Sequence, residues 1–166
     1  MGAWNLKEFK TFCLNSGLDK ALHYTNSLAF KWNAAKYHKG NILQKIKEIT
    51  PSSFLEKAPA YDYEIAFELD ALMASLNSMW DILGQLVNEC FISPKIEMNI
   101  MFFNDIYNCY WDSIPKVLQQ TLTPIKGNEL YNIIKTFNTT SKHRGAPKGE
   151  IYMDVSENIS QVSYIV

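Results

Sequence analysis

From Tyr61 to Phe91 the apolar residues fall at Ile65, Leu69, Leu72, Leu76, Met79, Leu83, Leu86 and Cys90. The steps alternate four and three, the signature of one face of a helix. Met73, Trp80 and Val87 lie beside this seam and widen it, as expected of a helix packed in a globular bundle rather than a two-stranded coil. The segment therefore predicts a long central helix over about 61–91. Ala71, Ala74, Ser75 and Ser78 are small enough to let a neighbouring helix approach it closely.

A second long helix is predicted over Leu18–Lys39. Leu18, Ala21, Leu22, Thr25, Leu28, Ala29, Trp32 and Ala35 form its main stripe, and His23, Phe30, Ala34 and Tyr37 a second one. Two stripes predict cover on two sides. Gly17 separates this helix from a short one around Asn5–Leu14, and Gly40 is the predicted C-cap. Asp112-Ser113-Ile114-Pro115 reads as the start of a helix that ends before Pro124. A last helix runs from Asn128, its N-cap, to about His143, with Leu130, Ile133, Ile134 and Phe137 inward. Residues 95–100 and 150–155 alternate polar and apolar positions and are expected to be extended. The predicted fold is all-α: an antiparallel helical bundle in one domain over 1–166, its core at about 5–145, with a small extended excursion and an extended tail over 146–166.

The chain has 166 residues and a formal charge of −1, with 47% hydrophobic residues. Intrinsic disorder is excluded by that apolar content. No apolar run exceeds the four residues of Ile100-Met101-Phe102-Phe103, far short of the roughly 20 residues of a membrane span. No basic start followed by an apolar stretch marks the N-terminus, so the expected setting is cytoplasmic, with no membrane partner. Cys13, Cys90 and Cys109 suit neither a disulfide framework nor a zinc site and are expected to be small buried apolar residues. The Lys-rich, Arg-poor composition, rich also in Asn and Ile, points to an AT-rich coding genome and a bacterial source. Charge is unevenly spread: residues 1–50 carry eight Lys against three acids, and 51–112 carry ten acids against two Lys.

No phosphate-binding glycine loop, nucleophile elbow or HExxH motif is present, and no cofactor or metal ion is expected. Glu64, Glu68 and Asp70 near the start of the central helix raise a metal-dependent alternative, because all-helical nucleotide pyrophosphohydrolases use paired ExxE and ExxD motifs. Here the spacing is ExxxE, without a second matching pair. Asp81 lies close to the seam, between Trp80 and Ile82, and is a candidate binding residue. The other candidates close the last helix in Phe137-Asn138-Thr139-Thr140-Ser141-Lys142-His143-Arg144. Within about two turns they offer an amide, an imidazole and two cations, a set that can grip a phosphate or move a proton beside one.

The long helix with Ser75, Ser78 and Asp81, followed by a helix ending in Asn138 and Lys142-His143-Arg144, resembles the HEPN-like helical bundles of bacteria. The family's nuclease motif is an Arg, a polar residue, a few further residues and a His. Asn138 and His143 match the polar residue and the His, while Phe137 stands where the catalytic Arg would be. The resemblance implies an RNA or nucleotide binder or a weak RNase, with His143 and Asn138 catalytic and Lys142, Arg144 and Asp81 binding. The alternative is a non-enzymatic interaction or oligomerisation module, in which the second stripe of Leu18–Lys39 and the apolar tail Ile159, Val162, Tyr164, Ile165 and Val166 meet a partner protein or a second copy.

Overall fold

A computed structural model describes residues 6–50, 52–97, 103–126, 128–144, 148–154 and 159–165. The chain is an all-α bundle with one small ribbon. Its elements are α1 (Leu6–Asn15), α2 (Asp19–Glu48), α3 (Phe54–Phe91), α4 (Phe103–Cys109), a 3₁₀ turn at Trp111–Ser113, α5 (Lys116–Lys126), α6 (Glu129–Arg144), β1 (Lys148–Asp154) and β2 (Ile159–Ile165).

Several boundaries depart from the sequence pattern, each for a local reason. Gly17 ends α1 as expected, with φ +65° and Leu18 N–H donating to the Cys13 carbonyl at 2.9 Å, the six-to-one bond of a Schellman cap. Gly40 does not cap α2, which continues to Glu48. Half-buried Ile42 and Ile46 and buried Ile49 continue the inward face begun by Ala35, and the apolar area they take out of water outweighs the roughly 1 kcal/mol a helical glycine costs. The central helix starts seven residues early, at Phe54, with Pro59 inside it. Proline deletes the bond to the Leu55 carbonyl, but Leu55 is 90% exposed, so water can take that place. Similarly α5 begins at Lys116 and includes Pro124. At α6, Asn128 does act as N-cap, its Oδ1 accepting from Leu130 N–H at 2.8 Å.

The described chain forms two compact units. One comprises Met1–Trp32 and Ser78–Tyr131. Its core has two clusters. In the first, Trp80, Phe103 and Tyr131 pack with ring centroids 5.4 to 5.8 Å apart, beside Val87, Ile92, Ile106, Ile114 and Leu122. In the second, Cys13, Ala21, Tyr24, Leu28 and Leu86 join α1, α2 and α3. Cys109, by contrast, is exposed rather than buried. The loop after α3 is clipped back by buried Asn88, which donates to Ile96 O at 2.8 Å and accepts from Ile96 N–H at 3.1 Å.

The other unit comprises Asn33–Asn77 and Asn132–Val166. Here α2 and α3 run antiparallel, with Ala35, Ile49, Ala58, Ile65, Ser75 and Phe137 buried. Along α6, Ile133 in this unit and Leu130 in the first were expected inward but are exposed, while Tyr131 of the first unit is buried instead. The seam has rotated by part of a turn, because Tyr131 supplies the aromatic cluster. The expected extension at 150–155 is real over 150–154: β1 pairs antiparallel with β2, Ile151 opposite Val162 and Gly149 opposite Tyr164. Residues 95–97 have no regular structure, and 98–100 and 155 lie outside the described residues.

Candidate functional site

The residues singled out in the sequence are dispersed. Asn138 is half-buried on α6, and residues 142–144 form that helix's last turn. The side chains of Lys142, His143 and Arg144 lie outside the described residues. Asp81 belongs to the other unit and is half-buried. There, burial pushes the Tyr131 hydroxyl above its ordinary pKa, and the Asp81 charge pushes it further. That hydroxyl donates to Asn104 Oδ1 at 2.6 Å.

The three acids near the start of the central helix are also engaged. Glu64 receives Lys45 Nζ. Glu68 accepts from His38 Nδ1 at 2.6 Å and from Asn41 Nδ2 at 2.8 Å. Asp70 accepts from the Ser141 hydroxyl. Among the described residues, no group of three or more His, Cys, Asp or Glu could hold a metal ion. Burial works against the Glu68 carboxylate. The hydrogen bonds from His38 and Asn41, with nearby Lys45, outweigh it and hold its pKa below the ordinary value. Further along the same α2–α3 seam, Tyr61 donates to Glu48 Oε2 at 2.5 Å, and Lys45 Nζ stands 5.2 Å from the Tyr61 ring centre. This bond is the main reason the Glu48 pKa is lowered and that of Tyr61 raised. These contacts join two helices; they leave few acceptor positions for a substrate.

The surface that stands out is the outer face of α3 in the same unit. Residues four apart lie along one ridge of a helix. Leu55, Pro59, Tyr63, Phe67 and Ala71 occupy one such ridge. Leu55 is 90% exposed, Tyr63 71% and Phe67 69%. From residue 55 to 71 the ridge is about 24 Å long, at the 1.5 Å rise per residue of an α-helix. The seam of buried Ile65 and half-buried Leu69, Leu72 and Leu76 lies on the opposite side. Around the ridge stand exposed Glu56, Ala60, Glu64 and Asp70. An aromatic ridge edged by small residues and carboxylates has the composition of a docking face with a polar rim. Scattered single exposed apolar side chains are ordinary; a run of them on one ridge is not.

The second stripe of α2 is a related case. It was expected to be covered, but Phe30 and Tyr37 are both exposed. In the first unit, an open depression of about 580 Å³ is lined by Lys20, Tyr24, Asn88, Glu89, Lys95, Ile96 and Glu97. Its Lys95 ammonium already donates to the Asn88 and Glu89 carbonyls at the end of α3.

Comparison of the chain with family models, with curated proteins and with solved structures returns no match. Among the described residues, no helix is long and apolar enough to cross a membrane. The α3 ridge was hidden in the sequence by the stronger seam on the same helix. Its signal is the four-residue spacing of Leu55, Pro59, Tyr63 and Phe67, half of it ahead of the expected helix start.

Proposed function

We propose that this chain is a non-enzymatic protein-interaction module that docks a partner on the outer ridge of α3. The observation that carries the reading is the exposure of Leu55, Tyr63 and Phe67 along one ridge. Large apolar side chains grouped in water are costly unless something covers them, and grouped exposure marks interaction surfaces. Aromatic residues in such a group are the usual anchors of binding energy. The acids that a metal-dependent hydrolase would use are held instead by Lys45, by His38 with Asn41, and by Ser141. The RNA or nucleotide reading rests on the family resemblance and on the residue types at the end of α6.

A photo-crosslinking amino acid placed at Tyr63, Phe67, Thr139 or Lys142 in cells tests the choice. Protein adducts at positions 63 and 67, without adducts at exposed Thr139, are expected. RNA adducts at position 142, with none of protein on the ridge, would overturn the proposal in favour of nucleic-acid binding.

A further inference from the structure

We infer that the partner on the α3 ridge is a second copy of this chain, presenting the outer face of its α2. The inference rests on the docking reading above and names the occupant. Both surfaces lie within the unit formed by Asn33–Asn77 and Asn132–Val166.

Charge selects the pairing. Between residues 33 and 47, α2 carries Lys36, Lys39, Lys45 and Lys47 and no acid. Lys45 turns inward to Glu64; Lys39 and Lys47 are exposed, with Leu43 exposed between them and Tyr37 at their edge. The opposing surface on α3 is acidic: with Glu64 engaged by Lys45, Glu56 and Asp70 are exposed around Tyr63 and Phe67. Pairing α3 with another α3 would set carboxylates against carboxylates. Pairing α2 with α3 sets lysines against carboxylates and brings apolar side chains together at the centre.

Shape points the same way. Gly40 sits mid-helix among those lysines, and a Cβ added there would meet nothing within 4 Å. A glycine at such a place weakens the helix relative to alanine. The fold of the single chain gains nothing from it. The missing side chain at Gly40 does, however, leave room on this face for a side chain of the partner copy. The two surfaces are different, so the copies either exchange them reciprocally in a two-fold pair or join head-to-tail in a ring or series.

Sedimentation equilibrium and light scattering on the full chain, over a range of concentrations and salt, test this. A mass above the 19.1 kDa of one chain is expected at low salt, falling toward the monomer as salt is raised to about 0.5 M, where charge attraction is screened. Phe67→Ser should raise the Kd roughly thirtyfold, the equivalent of losing an aromatic anchor worth about 2 kcal/mol. Gly40→Trp, which the open space tolerates, should abolish association with the far-UV CD spectrum unchanged. The decisive case is charge reversal. A chain carrying Lys39→Glu with Lys47→Glu, and another carrying Glu56→Lys with Ala60→Lys, should each be monomeric alone and associate when mixed. A monomer at every concentration and salt, or association indifferent to these reversals, overturns the inference. If that chain still forms protein adducts from positions 63 and 67, the docking reading stands and only its occupant was wrong.

Discussion

Two neighbours on α3 separate the core from the ridge. Ile65 is 1% exposed and Phe67 69% exposed, although only Ala66 lies between them in the chain. Ile65→Ala empties a fully enclosed site and should cost about 2–5 kcal/mol, the range for large-to-small changes in packed cores. Phe67→Ala removes a side chain of which only about a third is out of water. A third of the roughly 1.5–3 kcal/mol for complete burial is at most about 1 kcal/mol. Alanine's better helix propensity returns about half of that. The expected net change for Phe67→Ala is thus within about 0.5 kcal/mol. Urea unfolding followed by far-UV CD, at protein concentrations below any self-association, measures both. The corresponding shifts in Tm are at least about 4 °C for Ile65→Ala and under about 2 °C for Phe67→Ala, at roughly 2–4 °C per kcal/mol for a chain of this size. Equal destabilisation by the two changes would mean that Phe67 is covered within the monomer, and the ridge would no longer be a free surface.

Other outcomes follow from the same structure. Gly40→Ala should stabilise the monomer by about 0.5–1 kcal/mol, because the added methyl meets nothing and the helix gains propensity; a loss of stability on thermal unfolding would show that α2 is not helical there. Asn128→Ala removes the N-cap acceptor of α6 and should cost about 1 kcal/mol in the same assay, whereas Asn128→Ser should recover most of it. Glu68 has a lowered pKa in the fold, so its contribution is present above its ordinary value near 4.5 and is lost as pH falls through the depressed one. The stability gap between the native chain and Glu68→Gln should accordingly narrow as pH drops below about 4.5; a gap that widens would contradict the assigned hydrogen bonds. Replacing Asn88, whose amide clips the loop at Ile96 through two bonds, by Ala should cost about 1–3 kcal/mol and expose that loop to proteolysis.

Periodicity alone was enough to locate the long seam of α3, the main stripe of α2, the short α1 and the capped start of α6. These features are local: each needs only that apolar residues recur every three or four positions and that a side chain meets a backbone group a few residues away. Boundaries set by competition were beyond it. Gly40 and Pro59 look like stops when weighed singly. Only the packed structure supplies the buried Ile49 that carries α2 past the glycine, and the solvent at Leu55 that excuses the proline. Pairings across the chain were equally out of reach. His38 and Asn41 meet Glu68 from another helix, Trp80 stacks against Phe103 and Tyr131, and Ser141 reaches Asp70. Such partners are chosen by how the helices turn toward one another, and residue spacing within a helix does not encode that rotation. The same rotation decided which of two apolar stripes on α3 became core and which was left facing water, because a helix flanked by too few neighbours can bury one side and must leave the other for something else to cover.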